Sequence, residues 1–158
     1  MHLPSLTGIR FRLKCRMTFP LRSPRDTVGG ITIFGRILDK IRLHAVGQLP
    51  EGYHLGFIEG NRTFDDRVCR LLAVSFEDLA QRTLEGGSDE EILEWCFQKG
   101  RKPEPEQIEL FNGFMHKRGW RDAATQGFNK QKTEAGLADR DDLVTFFDLM
   151  DVEEGRAP

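Results

Sequence analysis

Helix start signals recur at short intervals along this chain. Thr63, Ser75 and Ser88 each precede a turn that contains acidic residues and then an apolar stripe, which is the pattern of a helix N-cap. Gly86-Gly87 and Gly100 follow two of these stripes and are typical helix stops. A chain divided in this way can bury its apolar surface only by packing many short helices together.

Apolar residues at helical spacing predict a longer helix between Ile31 and Val46, and Gly47 is placed to end it. Upstream, Ser23-Pro24-Arg25-Asp26 combines a capping hydroxyl, a proline and an acid. That combination is typical of a short turn, which here precedes a break at Gly29-Gly30 or, alternatively, runs into the next helix.

Three more helices are predicted in the C-terminal half. Pro105 opens one, in which Gly113 lowers the helix propensity. Residues 120–135 offer only a thin apolar face. Asp139 and Asp142 are placed to cap a final helix that is apolar on more than one face, so we expect it to be deeply buried or shared with a partner.

Strand-like alternation is confined to residues 53–58. We therefore predict an all-α fold: a compact array of six to seven short helices, with one small β-hairpin at most, in 53–58. Residues 17–158 form a single domain on this prediction.

The N-terminal segment, residues 1–16, contains four basic residues and no acidic ones. A basic arm or a transit-like peptide has this composition. Because the patterned sequence begins just after Met17, we favour translation from Met17, and we predict that residues 1–16 are a disordered or non-native extension.

Composition limits the classes of partner. The 158 residues carry a formal net charge of −2, which gives no bulk attraction to nucleic acid or to anionic membranes, so neither is expected as a partner. No apolar run is long enough to span a bilayer and no secretory signal is present, which makes the cytoplasm the default location.

The cysteines (Cys15, Cys69 and Cys96) are odd in number and lack a CxxC motif, so they predict neither disulfides nor a zinc site.

The connection from Gly47 to Arg62 is longer than most loops without structure of their own, and such loops are often functional. Tyr53, His54 and Phe57 are its candidates for lining a pocket. The alternative is a short hairpin flanked by turns.

Basic residues cluster on and just before the first long helix, where they could clamp an anion. They are Arg22, Arg25, Arg36, Lys40 and Arg42. The alternative is a solvated face neutralised by Asp26 and Asp39, with Asp39 meeting Arg42 three residues later.

Metal binding, acid-base catalysis and aromatic stacking have weaker support in the sequence. Asp65 and Asp66, with His44, His54 or His116, could form a metal or acid-base site, but acids in a first helical turn are what the helix dipole favours. No cofactor-binding or metal-binding motif is present, so none is expected. The larger aromatic residues are expected to pack in the core rather than to form a stacking platform; they are Trp95, Phe97, Phe111, Phe114 and Trp120.

An ordered set of short motifs resembles a family of small bacterial proteins classed as domain of unknown function 5069. The motifs are the run Pro20 to Asp26, Gly29-Gly30, Arg36, Asp39-Lys40, Arg42, Phe64 to Arg67, and Ser88 to Leu93. The resemblance covers about Met17 to the C-terminus. It implies a bacterial cytoplasmic setting and carries no activity, cofactor or catalytic residue, and residues 1–16 have no counterpart in the pattern.

The leading hypothesis is a helical binding module for a small anionic ligand or an acidic protein segment. Its candidate site residues are Arg22, Arg25, Arg36, Asp39, Lys40, Arg42, Tyr53, His54, Asp66 and Arg67. One alternative is an enzyme in which arginines such as Arg25 and Arg36 anchor a phosphate or carboxylate and Asp66 or His54 transfers a proton. Another is a structural homodimer through the last helix, with Phe146, Phe147 and Met150 at the interface.

Overall fold

The computed structural model of the chain describes residues 18–158. The basic segment 1–16, the proposed start at Met17 and Cys15 lie outside the described residues. In chain order the described elements are β1 (Thr27–Val28), β2 (Ile31–Thr32), α1 (Phe34–Ala45), α2 (Phe64–Leu72), α3 (Phe76–Leu84), α4 (Asp89–Lys99), α5 (Pro105–Lys117), α6 (Thr125–Glu134) and α7 (Phe146–Glu153). The prediction of a helical array with one small hairpin is confirmed.

The predicted N-caps start three of these helices. The hydroxyl oxygens of Thr63, Ser75 and Ser88 each accept a hydrogen bond of 3.1 Å from the backbone N–H three residues later. At α4 the Glu91 carboxylate also accepts from the Ser88 N–H, which completes a capping box. The local sequence therefore determines where α2, α3 and α4 begin.

The hairpin lies at residues 27–32 rather than at the predicted 53–58. Thr27 pairs with Thr32 and Val28 with Ile31. The turn between them is Gly29-Gly30, with φ of 56° and 78°, and a two-residue turn with two positive φ angles suits the twist of a hairpin. Residues 53–58 are irregular apart from a single bridge that Ile58 forms with Asn61.

The predicted start of the last helix, at Asp139, is wrong by several residues. Thr145 caps α7 instead, and Asp148 accepts a hydrogen bond from the Thr145 N–H in return. Asp142 pairs with Arg140 in the loop before the helix. The reciprocal capping box at Thr145 satisfies two backbone donors, which explains why the helix begins there.

The core is built around α1. Its apolar stripe, which includes Phe34, Ile37 and Leu38, has no exposed surface. Apolar residues of four other helices pack into the same cluster and are also fully buried: Leu72, Leu79, Ile92 and Phe147. Helix α1 also buries Arg36 and Lys40, so it lies inside the protein on almost every side.

The apolar face of α7 is largely used within the chain. Phe147 is fully buried and lies 5.6 Å from the Phe64 ring, while Phe146 is half-buried between Phe64 and Phe128. A homodimer through Phe146, Phe147 and Met150 stays a prediction, for which only Phe146 and Met150 retain exposed surface. None of the helices in residues 18–158 is long and apolar enough to cross a membrane.

Two glycines in helical regions have opposite surroundings, and they give a test of the packing. A Cβ atom on Gly100 would lie 2.0 Å from the carbonyl oxygen of Leu72, whereas a Cβ atom on Gly113 would meet nothing within 4 Å. We predict that Gly100→Ala lowers the free energy of unfolding by about 1 to 3 kcal/mol or more, because backbone must move. Gly113→Ala should raise it by about 1 kcal/mol, since alanine has the higher helix propensity. Urea denaturation of both variants measures this, and equal effects of the two substitutions would contradict the packing described here.

Candidate functional site

The predicted site residues occupy two separate places in the structure. Eight of them surround α1 and the end of the chain: Arg22, Arg25, Arg36, Asp39, Lys40, Arg42, Tyr53 and His54. Asp66 and Arg67 lie on α2, where they belong to a different cluster of arginines.

The residues around α1 form several groups of ion pairs, which together we call the α1 network. At its centre Arg36 lies 2.5 Å from the Glu154 carboxylate, and the two side chains are 6% and 1% exposed. Arg36 also donates to the carbonyl oxygen of Arg22 at 2.8 Å. Glu154 in turn pairs with Arg156 at 2.9 Å. The pair therefore fixes the C-terminal end of the described chain against the central helix.

Lys40 attaches the long Gly47 to Arg62 connection to the network. Its ammonium group lies 2.6 Å from the Asp65 carboxylate and donates to the backbone carbonyl of His54 at 3.0 Å. Asp65 also accepts a hydrogen bond from the Gly56 N–H. The hydrogen bond from Lys40 is to the backbone of His54 and not to its imidazole, and His54 is exposed.

Arg22 and Arg42 share a carboxylate that the sequence analysis did not single out. Asp89, at the start of α4, lies 2.6 Å from Arg22 and 2.8 Å from Arg42. Asp39 pairs with Arg22 at 2.9 Å, so the expected pairing of Asp39 with Arg42 is wrong. Burial opposes ionisation of Asp89, but the hydrogen bonds from both guanidinium groups prevail and lower its pKa.

Arg25 reaches α7 instead of its neighbour Asp26. It lies 2.5 Å from both Asp148 and Asp151. Tyr53 completes this side of the network: its hydroxyl is 3.5 Å from Glu154, and burial, followed by the charge of Glu154, raises its pKa to about 12. Each predicted basic residue around α1 thus faces a carboxylate of the same chain.

The buried part of the α1 network is chemically saturated. Among the described residues, no buried side-chain nitrogen or oxygen lacks a hydrogen-bond partner. A buried charge that is paired and fully hydrogen-bonded has little affinity left for a ligand. This grouping therefore explains how the fold is held together rather than what it binds.

A second group of arginines borders an open cavity of about 260 Å³ between α2 and α5, which we call the arginine cleft. Helix α2 contributes Arg67, Arg70 and Leu71, and α5 contributes Phe111 and Phe114. Arg62, just before α2, and Arg101, just after α4, complete the lining.

The ring of Phe114 in the arginine cleft lies beside two guanidinium groups. The guanidinium carbon of Arg67 lies 4.8 Å from the centre of this ring, and that of Arg118 lies 5.2 Å from it. Both are cation–π distances. Phe114 is 42% exposed, so this ring faces solvent rather than the core, and Arg67 and Arg118 beside it are half-buried.

Arg101 is positioned by the backbone of α2. Its Nε donates to the carbonyl oxygen of Leu71 at 2.7 Å, and its backbone N–H donates to that of Leu72 at 2.9 Å. The close approach requires Gly100, whose missing side chain leaves room for the end of α2. One edge of the Arg101 guanidinium is thereby fixed beside the cleft.

Positive charge exceeds negative charge in and beside the cleft. Asp66 pairs with Arg70 at 2.9 Å and with Arg62 at 3.5 Å. Asp122 pairs with Arg118 at 3.6 Å. Arg67 forms no ion pair within residues 18–158, and its pKa is lowered by burial, followed by repulsion from Arg118 and Arg62.

Sequence reasoning found Asp66 and Arg67 but missed Arg62, Arg70, Arg101 and Arg118. Arg67 and Arg70 lie one turn apart on α2, and this spacing was the available local signal. The expectation that Phe114 and Trp120 pack in the core is wrong, since they are 42% and 44% exposed. Both have cationic neighbours, which in the case of Trp120 are Lys117 and Arg121.

The carboxylates and histidines that were considered for metal or acid-base chemistry are dispersed. In the part of the chain that the structure describes, no three His, Cys, Asp or Glu side chains are grouped to hold a metal ion. Asp65 and Asp66 do lie in the first turn of α2, and each pairs with a basic residue. His44 and His54 are exposed, and the ring of His116 packs on Phe147 at 5.1 Å.

Comparison with models of known families gives a match to the family described as "Domain of unknown function (DUF5069)". The match covers residues 18–156, which is nearly the whole described chain. None of the curated proteins matches the sequence.

The buried ion pair of Arg36 and Glu154 leads to a prediction about stability. Glu154→Gln leaves Arg36 buried opposite a neutral group, so we expect the free energy of unfolding to fall by about 3 to 5 kcal/mol. The double variant Arg36→Met with Glu154→Gln should lose less than the sum of the two single losses, because no buried charge remains opposite a neutral partner. As a control, Arg140→Gln removes an exposed pair and should cost about 0 to 1 kcal/mol. If urea denaturation showed that Glu154→Gln lowers the free energy of unfolding no more than Arg140→Gln does, the buried pair would not stabilise the fold.

Asp148 leads to a prediction about pH. Burial acts to raise its pKa, but hydrogen bonds from Val144 N–H and Arg25, among others, outweigh it, so the pKa of the folded state is below the ordinary value. Its contribution to stability is then fully present above about pH 3.9, the pKa expected in the unfolded chain, and is lost as pH falls through the folded pKa. We expect the stability difference between the wild type and Asp148→Asn to be largest near neutral pH and to shrink in acid. A difference that is constant from neutral pH to pH 2 would show that this carboxylate is not ionised preferentially in the folded state.

Proposed function

Because the chain belongs to the DUF5069 family, whose description names no activity, we propose a function from the geometry of its own residues: binding of a small organic anion in the arginine cleft. The observation that carries this proposal is the stack of Arg67 and Arg118 on the exposed ring of Phe114. It concentrates positive charge at a concave surface in a protein whose net charge is negative.

The contrast between the two groups of arginines supports this proposal. In the α1 network, a carboxylate lies within about 3 Å of each arginine, as it does for Arg22, Arg25 and Arg36. Arg67 has two neighbouring cations instead. Asp66 and Asp122 offset part of this positive charge, but the arginines outnumber them, and a bound anion would reduce the remaining repulsion.

The chemistry of guanidinium favours phosphate or carboxylate as the anionic group. Arginine presents a planar set of N–H donors that matches both groups, and charge-assisted hydrogen bonds of this kind contribute about 1.5 to 3 kcal/mol each. Phe114 holds two of the guanidinium groups in place before the ligand arrives, which reduces the entropy lost on binding. A cavity of about 260 Å³ fits a small anion or the anionic end of a larger molecule.

The proposal includes a cytoplasmic, bacterial setting. Cys69 and Cys96 are buried free thiols, and burial raises the pKa of each to about 12. Thiols that persist unpaired suit a reducing compartment. Phosphorylated and carboxylated metabolites are the ligands that such a setting would supply.

We predict that inorganic pyrophosphate binds the wild-type protein at low ionic strength and that Arg67→Gln weakens this binding about 10- to 100-fold, the loss expected for one charge-assisted contact. The matched control is Arg140→Gln, which removes the same charge from a loop in which Arg140 pairs with Asp142. Isothermal titration calorimetry gives the affinities, and circular dichroism checks that both variants fold. Equal affinities for the two variants would mean that pyrophosphate responds only to net charge, and the arginine cleft would then not be the site.

A further inference from the structure

We infer that the ligand of the arginine cleft is an amphipathic anion, whose charged head lies in the cleft and whose apolar chain lies in an adjoining groove. This inference rests on the proposed function and names the ligand class. The groove has a volume of about 450 Å³ and is called the apolar groove below. Its lining residues are Phe57, Asp66, Cys69, Arg70, Ala73, Val74, Ser75, Phe76 and Glu77.

The two cavities are joined through Arg70, which lines both. Its Nε donates to the Asp66 carboxylate at 2.9 Å, and Asp66 also pairs with Arg62 on the cleft side. This pairing orients the Arg70 guanidinium at the boundary between the cavities. A molecule held by Arg70 through its anionic group can therefore extend from the cleft into the groove.

Phe57, Val74 and Phe76 give the groove its apolar surface. Phe57 is 60% exposed, an unusual amount for a large aromatic residue, and Val74 and Phe76 are half-buried beside it. Covering this surface removes apolar area from water, which stabilises whatever covers it. The groove thus offers apolar surface that a hydrocarbon chain can cover.

The backbone before Phe57 is held in place. The Gly56 N–H donates to Asp65 at 3.0 Å, and the Gly56 carbonyl oxygen accepts from the Thr63 hydroxyl at 2.6 Å. Gly56 has a φ of 65°, and a Cβ atom there would lie 2.6 Å from the Phe76 ring. Phe57 is consequently presented at the groove from a backbone that is fixed on both sides of the Gly56 Cα atom.

Glu77 disfavours a second anionic group at its part of the groove. Glu77 carries a carboxylate at the lining, so a ligand with charge at both ends would meet repulsion there. Burial raises the pKa of the Cys69 thiol to about 12, so it remains a neutral thiol that an alkyl chain can contact. An anion at one end and a hydrocarbon chain at the other is the chemistry that fits both cavities.

A series of monoalkyl phosphates from methyl to octyl, used below their aggregation concentrations, tests this inference by calorimetry. We expect the dissociation constant to fall about three- to four-fold for each added methylene until the groove is filled, which corresponds to about 0.8 kcal/mol per buried methylene. Phe57→Ala should flatten this dependence and leave the affinity for methyl phosphate unchanged. The matched control is Leu84→Ala, which removes an apolar side chain that is 57% exposed at the opposite end of α3.

The possible results separate this inference from the proposed function. If methyl phosphate binds and the affinity does not change with chain length, the anion site stands and the amphipathic ligand is wrong. If pyrophosphate binds and no member of the series does, the inference fails and the anion site stands; if neither binds, both proposals fail. Equal losses in Phe57→Ala and Leu84→Ala would indicate unspecific adsorption of the alkyl chain and would overturn the inference, as would binding to phosphatidic acid vesicles without binding of any monoalkyl phosphate.

Discussion

Arg36 and Glu154 meet 2.5 Å apart in the interior, between the central helix and the end of α7. Isolated charges cannot be buried at this depth, so each side chain depends on the other and on the further partners that surround them. Arg156, Tyr53 and the carbonyl oxygen of Arg22 supply those partners. Through them, the pair brings together the segment before the hairpin, α1, the long connection after α1 and the C-terminal helix.

The same dependence explains why α1 can be buried on almost every side. Its apolar face meets the helical core, while Arg36, Lys40 and Asp39 on its other faces meet charged partners from distant parts of the chain. Because these partners neutralise one another, the interior carries charged groups without carrying unpaired charge. The arginine cleft lies outside this arrangement, and its excess of positive charge is therefore available to a ligand.

Local signals predicted most of the helices but not the partners of the charged residues. The caps at Thr63, Ser75 and Ser88 act within one turn, so sequence spacing was sufficient. Arg36 and Glu154 are 118 residues apart, and no local pattern connects them. The last helix begins at Thr145 instead of the predicted Asp139 because Asp148, which Arg25 also holds, accepts a hydrogen bond from the Thr145 N–H. The Gly29-Gly30 pair predicted an interruption, whereas its positive φ angles form a hairpin turn between two short β-branched segments. The arginine cleft was predicted only at Asp66 and Arg67; Arg70 lies one turn further along the same helix, whereas Arg62, Arg101 and Arg118 lie outside α2.

The division of the arginines into a saturated group and an available group is the central claim, and side-chain NMR tests it most directly. Spectra of the arginine Nε–H groups would be recorded while inorganic phosphate is added at low ionic strength. We expect the resonances of the cleft arginines to shift and to reach saturation as phosphate is added, and those of the α1 network to remain unchanged. The first group is Arg62, Arg67, Arg70, Arg101 and Arg118, and the second is Arg22, Arg25, Arg36, Arg42 and Arg156. Saturable shifts in the second group, or small and uniform shifts in both, would contradict this claim.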